Sequence, residues 1–356
     1  MSKPDETLGQ MLARRGITRR SFLKFCTAVS SAMALPPGKA AEMAEKMAQA
    51  KRQSVIWLSF QECTGCTESL TRSHSPTIES LIFDFISLDY HHTLQAASGD
   101  HAERCRTDAM KENAGKYIVV VDGSIPVGPG AHYSTIAGVT NEQILKDTAK
   151  DCAAIVAVGT CASFGGIPAA KPNPTGAVPV TEIITDKPII NVSGCPPIPV
   201  VIAGTLSHVL TFGIPELDIH GRPKNFFGET IHDRCYRRPF YEKGQFAKTF
   251  DDAGARKGWC LYELGCKGPT TYNACATLKW DNGTSFPIQS GHGCIGCSEP
   301  NFWDQPGGFY KPLSVTQWGT YEGLAAAAVA GAAVGAAAAI SSRAKRKKAE
   351  AEEKKS

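Results

Sequence analysis

Residues 54–70 read SVIWLSFQECTGCTESL. The first part, Ser54-Val55-Ile56-Trp57-Leu58, is apolar and rich in β-branched side chains, the composition of a buried strand. The second part turns on Cys63-Thr64-Gly65-Cys66, a C-x-x-C pair set just beyond the end of that strand. Such a pair holds zinc, a disulfide or an iron–sulfur cluster, depending on which other ligands the fold brings to it.

Apolar runs of strand length recur at Leu81–Ile86, Tyr117–Val121, Ala153–Val158 and Pro188–Val192, with helix-length segments such as Asn141–Lys150 and Val200–Phe212 between them. This alternation over residues 54–215 predicts an α/β fold with a parallel sheet and helices on both faces. In such sheets ligands bind beyond the carboxyl ends of the strands. Cys63 and Cys66 follow the first strand, Cys161 follows Ala153–Val158 in VGTCASFGG, and Cys195 follows Pro188–Val192 in NVSGCPP. Four thiols thus leave one edge of one sheet, and nearby glycines allow the backbone to approach closely. Structural zinc usually takes paired C-x-x-C hairpins, and a redox dithiol needs no third or fourth thiol. A Cys₄ iron–sulfur cluster fits this set best. Cys152 begins its strand on the opposite edge and reads as a small core hydrophobe, while Cys105 and Cys26 have no cluster partner in the sequence.

From about residue 222 to 318 the regular pattern fades, and Gly, Pro, Asn and aromatic residues dominate. His232 and Cys235 precede Cys260 and Cys266, giving one imidazole and three thiolates. Cys275 then leads to HGCIGCSEPNFWD, with Cys294 and Cys297, a three-thiolate set suited to a cluster lacking one iron corner. Three such sets in one chain point to a relay of electron carriers. A dinucleotide glycine fingerprint, a P-loop and a nucleophile elbow are absent from the sequence.

The net charge of +4 is unevenly spread. Residues 1–50 carry eight Lys/Arg against four Asp/Glu and residues 341–356 carry seven against three, which leaves the middle at −4. A body of that sign argues against nucleic-acid binding. Thr18-Arg19-Arg20-Ser21-Phe22-Leu23-Lys24, followed by a short apolar stretch, reads as a twin-arginine export signal, with cleavage expected near Ala41 or after Ala50. Gly323–Ser342 is a charge-free stretch of 20 residues followed by a basic tail. At about 1.5 Å per residue it is long enough to span a bilayer, with the tail in the cytoplasm and the body outside.

Taken together, ECTGC, VGTCAS, GCPP, HDRC, LGCKGP and GCIGCSEPNFWD resemble the small subunit of the membrane-bound, periplasm-facing nickel–iron hydrogenases, over about residues 55–304. The resemblance implies a flavodoxin-like parallel sheet domain (51–221), then a smaller, mostly irregular cluster domain (222–318). A signal and processing region (1–50), an Ala-rich transmembrane anchor (319–342) and a basic cytoplasmic tail (343–356) would complete the chain. It assigns Cys63, Cys66, Cys161 and Cys195 to a proximal [4Fe–4S] cluster. Cys275, Cys294 and Cys297 would hold a medial [3Fe–4S] cluster, with Pro287 where a fourth ligand would otherwise sit. His232, Cys235, Cys260 and Cys266 would hold a distal [4Fe–4S] cluster. Hydrogen would be activated at a nickel–iron centre in a separate large subunit, in a heterodimer or a dimer of heterodimers. Electrons would leave to a membrane cytochrome or quinone-linked partner, and no catalytic residue is expected in this chain alone. Glu62 and Glu68, flanking the proximal turn, are candidate proton-relay groups. The oxygen-tolerant branch has two extra cysteines where this chain has Gly65 and Gly166, so inactivation by oxygen is expected. Two other readings are an iron–sulfur subunit of a different exported or complex I-like oxidoreductase, and a zinc- or disulfide-stabilised periplasmic binding protein.

Overall fold

The computed structural model describes residues 7–313, apart from 15, 33, 34, 37, 50, 51 and 75. Five parallel strands form one sheet: β1 (Gln53–Ser59), β2 (Ile86–Tyr90), β3 (Ile118–Asp122), β4 (Ala154–Val158) and β5 (Ile189–Val192). Their spatial order is β2-β1-β3-β4-β5, a doubly wound α/β order of the flavodoxin type. The face to which side chains point alternates with period two, as the pleat requires. Val55, Trp57, Ile118, Val120, Val156 and Val158 face one core, while Ile56, Leu58, Val119, Val121, Ile155 and Ala157 face the other. Because helices cover both faces, these central strands are apolar throughout and stand out in the sequence.

The longer helices are α1 (Leu8–Arg14), α2 (Arg19–Ala32), α3 (Lys39–Gln49), α4 (Gly65–Thr71), α5 (Asp100–Glu112), α6 (Asn141–Ala149), α7 (Gly159–Phe164) and α8 (Pro199–Phe212). α8 starts with Pro in its first turn and buries every residue from Pro199 to Ser207, as expected of a helix apolar on all sides.

The second strand departs from its expected position. Leu81–Phe85 forms a π-helical turn, and the strand begins only at Ile86. Leu81 and Phe85 are buried, and the Phe85 ring stacks on Phe25 with centroids 4.1 Å apart. The apolar run therefore marks packing against α2 and not sheet pairing. β2 is an edge strand with partly exposed residues, so its alternating ISLDY pattern lacks the continuous apolarity of its neighbours.

The twin-arginine stretch lies at the start of α2, where Phe22 and Cys26 are buried against the rest of the chain. From Lys224 onward the described residues form only short helical turns and isolated bridges, in agreement with the fading of the pattern. The Gly323–Ser342 stretch and the basic tail lie outside the described residues. Among the described residues, no helix is long and apolar enough to cross a membrane.

Candidate functional site

Register fixes where the first thiols emerge. Ser59 pairs with Asp122, Asp122 with Val158 and Val158 with Val192, so one row of residues forms the carboxyl edge of the sheet. Cys63 and Cys66 follow Ser59, Cys161 follows Val158 by three residues, and Cys195 follows Val192 by three. Burial holds the Cys66 thiol well above its ordinary range, and Asp122, Cys161, Cys195 and Cys63 each add to the shift. Burial likewise pushes Cys161 up to about 11 and Cys195 up to about 12, with neighbouring thiols contributing. The four predicted thiols are therefore mutual neighbours.

The glycines between them leave no room for a side chain. A Cβ on Gly159, where φ is +88°, would lie 2.4 Å from the Cys66 sulfur; one on Gly166 would lie 2.7 Å from that of Cys161. Cys152 is buried below the opposite edge and Cys105 is exposed on α5.

The remaining ligand candidates form two further groups. His232, Cys235, Cys260 and Cys266 line one small pocket together with Arg237, Arg238 and Ile288. Burial lowers the pKa of His232, which favours the neutral imidazole that can act as a ligand. Burial also raises Cys275, Cys294 and Cys297, and Cys297 interacts with both of the other two. Backbone amides point at the sulfurs: Gly268 and Cys294 donate to Cys266 at 3.4 and 3.3 Å, and Gly296 donates to Cys294 at 3.3 Å.

Buried thiolates that face one another are unfavourable unless a cation compensates them, and this donor chemistry fits iron–sulfur clusters. Trp57 and Ser59 face the buried Asp122 carboxyl and favour its charged form, while Glu62 Oε2 is buried near the first set with no hydrogen bond among the described residues. Also among the described residues, no three His, Cys, Asp or Glu side chains are close enough to share a single metal ion. A multi-atom cluster needs a wider cage than a lone zinc, whose thiolates sit about 2.3 Å from the metal.

Of the proton-relay candidates, Glu62 is half-buried, accepts from Thr64 Oγ1 at 3.2 Å and is raised by burial. Glu68 is exposed and paired with Arg72 at 2.8 Å. The sequence reading missed two charged groups. Asp122 is fully buried beside Cys66 and pushed up to about 7, chiefly by desolvation. Its signal was an ionisable residue closing the apolar strand IVVVD on the cluster edge. Lys267 is 2 % exposed and donates to the Lys311 carbonyl; burial lowers its pKa, and the Cys266 and Cys294 thiols oppose that shift in part. Nothing local in the sequence marks it.

His91 links this edge to the core. Its Nδ1 accepts from the Thr93 amide at 3.1 Å, which leaves Nε2–H to face Thr67 Oγ1 at 3.4 Å. Thr67 in turn donates to Asp122 Oδ2 at 3.3 Å. Burial lowers His91 to about 4. Between pH 6.5 and about 4 the unfolded chain takes up a proton that the folded chain refuses, so stability falls on acidification by about 3 kcal/mol in all. In denaturant titrations, His91→Gln should shrink the loss between pH 7 and pH 4.5 by about 2 kcal/mol. Equal losses in the two proteins would refute this role.

Comparison with known proteins gives two family matches. The family model for the C-terminal part of the NiFe/NiFeSe hydrogenase small subunit matches residues 227–310, and that for "NADH ubiquinone oxidoreductase, 20 Kd subunit" matches residues 63–209. The uptake hydrogenase small subunit of Azotobacter vinelandii is 49% identical over 330 residues, covering 92% of both chains. The hydrogenase-1 small chain of Escherichia coli is 45% identical over 336 residues, covering 91% of this chain and 90% of that one. Among solved structures, the reduced, active Ni-Fe-Se hydrogenase of Desulfomicrobium baculatum matches with a TM-score of 0.69 and 39% identity, covering 74% of this chain and 100% of that chain.

Proposed function

The chain belongs to the small-subunit family of the nickel–iron hydrogenases, and on that premise we propose which of its residues hold the redox groups and where it works in the cell. It is the iron–sulfur, electron-transfer partner of a hydrogenase large subunit, part of an oxidoreductase. We assign Cys63, Cys66, Cys161 and Cys195 to a proximal [4Fe–4S] cluster; Cys275, Cys294 and Cys297 to a medial [3Fe–4S]; and His232, Cys235, Cys260 and Cys266 to a distal [4Fe–4S]. When bound, such clusters supply reversible one-electron storage. The protein's own part is to bury the thiols, point amides at their sulfurs and fix their separations.

The observation that carries this reading is the convergence of thiols from three strand ends on one sheet edge, with the His232 set lining a separate cavity. We further infer a division near residue 221, where regular structure gives way to short turns. A twin-arginine leader would export the folded protein, and Gly323–Ser342 would anchor it with the body on the periplasmic side. Electrons would leave from the His232 end to a membrane cytochrome or quinone-linked acceptor. Gly65 and Gly166 in place of cysteine support a standard proximal cluster and an enzyme inactivated by oxygen. The reading as a complex I-like subunit rests on the first half alone, since residues 227–310 have their likeness in hydrogenase small subunits.

Metal analysis of the anaerobically purified native complex tests the assignment. Two four-iron clusters and one three-iron cluster give about 11 iron atoms per chain, with about one nickel from the co-purifying large subunit. Iron near that value without nickel would move the chain to another enzyme. Zinc in place of iron would end the electron-transfer reading.

A further inference from the structure

Thr160 sits one residue before Cys161, is 1 % exposed, and ties together three loops that each carry a ligand candidate. Its amide donates to the Gly194 carbonyl at 2.9 Å, and the Gly194 amide donates back to its hydroxyl oxygen at 2.9 Å. The hydroxyl hydrogen goes to the carbonyl of Cys297. One buried hydroxyl thus uses its acceptor on the residue before Cys195, 34 positions away, and its donor on Cys297, 137 positions away. A second buried hydroxyl runs parallel: Ser193 Oγ donates to the Ser298 carbonyl at 2.8 Å.

A core threonine needs only one partner for its hydroxyl, and a backbone carbonyl of its own helix would serve. This one instead spans the gap between the Cys63/Cys66/Cys161/Cys195 set and the Cys275/Cys294/Cys297 set. Packing alone would be met as well by valine, which has the same shape without the donor and acceptor.

We propose that Thr160, assisted by Ser193, is the positioning residue that fixes the first ligand set against the second and so sets the rate at which an electron crosses between them. The proposal rests on the iron–sulfur reading above. The step it governs moves one electron and no proton: in hydrogen oxidation, the group on the first set is oxidised as the group on the second is reduced. No covalent bond forms or breaks.

The test uses the native heterodimer carrying Thr160→Val, with Thr160→Ser as the conservative variant. Hydrogen–deuterium exchange at the nickel–iron site does not depend on the relay, whereas dye reduction does. Thr160→Val should keep its full iron content and normal isotope exchange but lose about tenfold in dye reduction, the low end for loss of an outer-shell partner. In EPR-monitored redox titration the three-iron signal should shift to lower potential, because the Cys297 carbonyl has lost its donor. Thr160→Ser should restore both. Full iron with unchanged dye reduction and unchanged potential would overturn the role of Thr160. If Thr160→Val instead loses iron, Ser193→Ala becomes the deciding variant: slowed dye reduction with full iron would support the clamp, and wild-type behaviour would overturn it. Wild-type protein without iron would defeat the iron–sulfur reading itself, an outcome distinct from all of these.

Discussion

Gly159→Ala should produce a complex that lacks the cluster on the Cys63/Cys66/Cys161/Cys195 set. The new Cβ would stand 2.4 Å from the Cys66 sulfur, closer than any real contact, and 3.8 Å from the Gly194 carbonyl oxygen. Backbone strain adds to the clash, because φ at this position is +88° and a side chain there costs about 1–2 kcal/mol. A χ1 change at Cys66 relieves the clash only by swinging its sulfur away from the set, and no rotamer change relieves the backbone strain at Gly159. Iron should fall by about four atoms per chain, and hydrogen-driven dye reduction should drop about 10–100-fold. Gly244→Ala is the control for strain alone: φ is +66° there, but nothing lies within 4 Å of the added carbon. That variant should keep its iron. Equal iron in Gly159→Ala and wild type would mean that Cys66 is not a ligand in this geometry.

Arg222→Met should be the most destabilising single change outside the ligand sets. Arg222 is 1 % exposed, and its guanidinium reaches Asp218 at 2.8 Å, Glu299 at 3.0 Å and the Ser298 carbonyl at 3.0 Å. It also lies over the rings of Phe227 and Tyr272, with centroids 5.4 and 5.8 Å away. Methionine fills the volume but leaves two partly buried carboxylates without their cation, which costs about 3–5 kcal/mol. By size scaling, the thermal midpoint of the anaerobic complex should fall on the order of 5–10 °C. Lysine should not rescue it, because one ammonium cannot reproduce the fork that meets three acceptors. Glu299 also receives the Tyr272 amide at 2.7 Å and lies two residues past Cys297, so iron on the three-thiolate set should become labile. A midpoint change below about 2 °C would show that this cation contributes little.

Much of this protein is legible in its sequence. The central parallel strands β1, β3 and β4 are apolar on both faces and appear as near-continuous runs, the edge strand β5 is buried enough from Ile190 to Val192 to show a short one, and each run tells which edge its following cysteine occupies. That is why the positions of Cys63, Cys66, Cys161 and Cys195, and the opposite placement of Cys152, follow from strand ends alone. β2 departs from its expected place because this edge strand is partly exposed along its middle and carries no such run, while the run that precedes it packs against the Phe25 and Phe22 rings.

The second half shows its ligand candidates through residue type and spacing only. Without periodic structure, the grouping of His232, Cys235, Cys260 and Cys266 in one cavity is a matter of tertiary packing. Tertiary structure alone decided the rest: the burial of Asp122 and Lys267 beside thiols, the Arg222 clamp, and the hydroxyl of Thr160 between two ligand loops. The physical reason is range. Strand patterning and ligand chemistry act over a few residues and leave their mark in sequence order, whereas a buried hydrogen bond across 137 positions is chosen by the packed fold and leaves none.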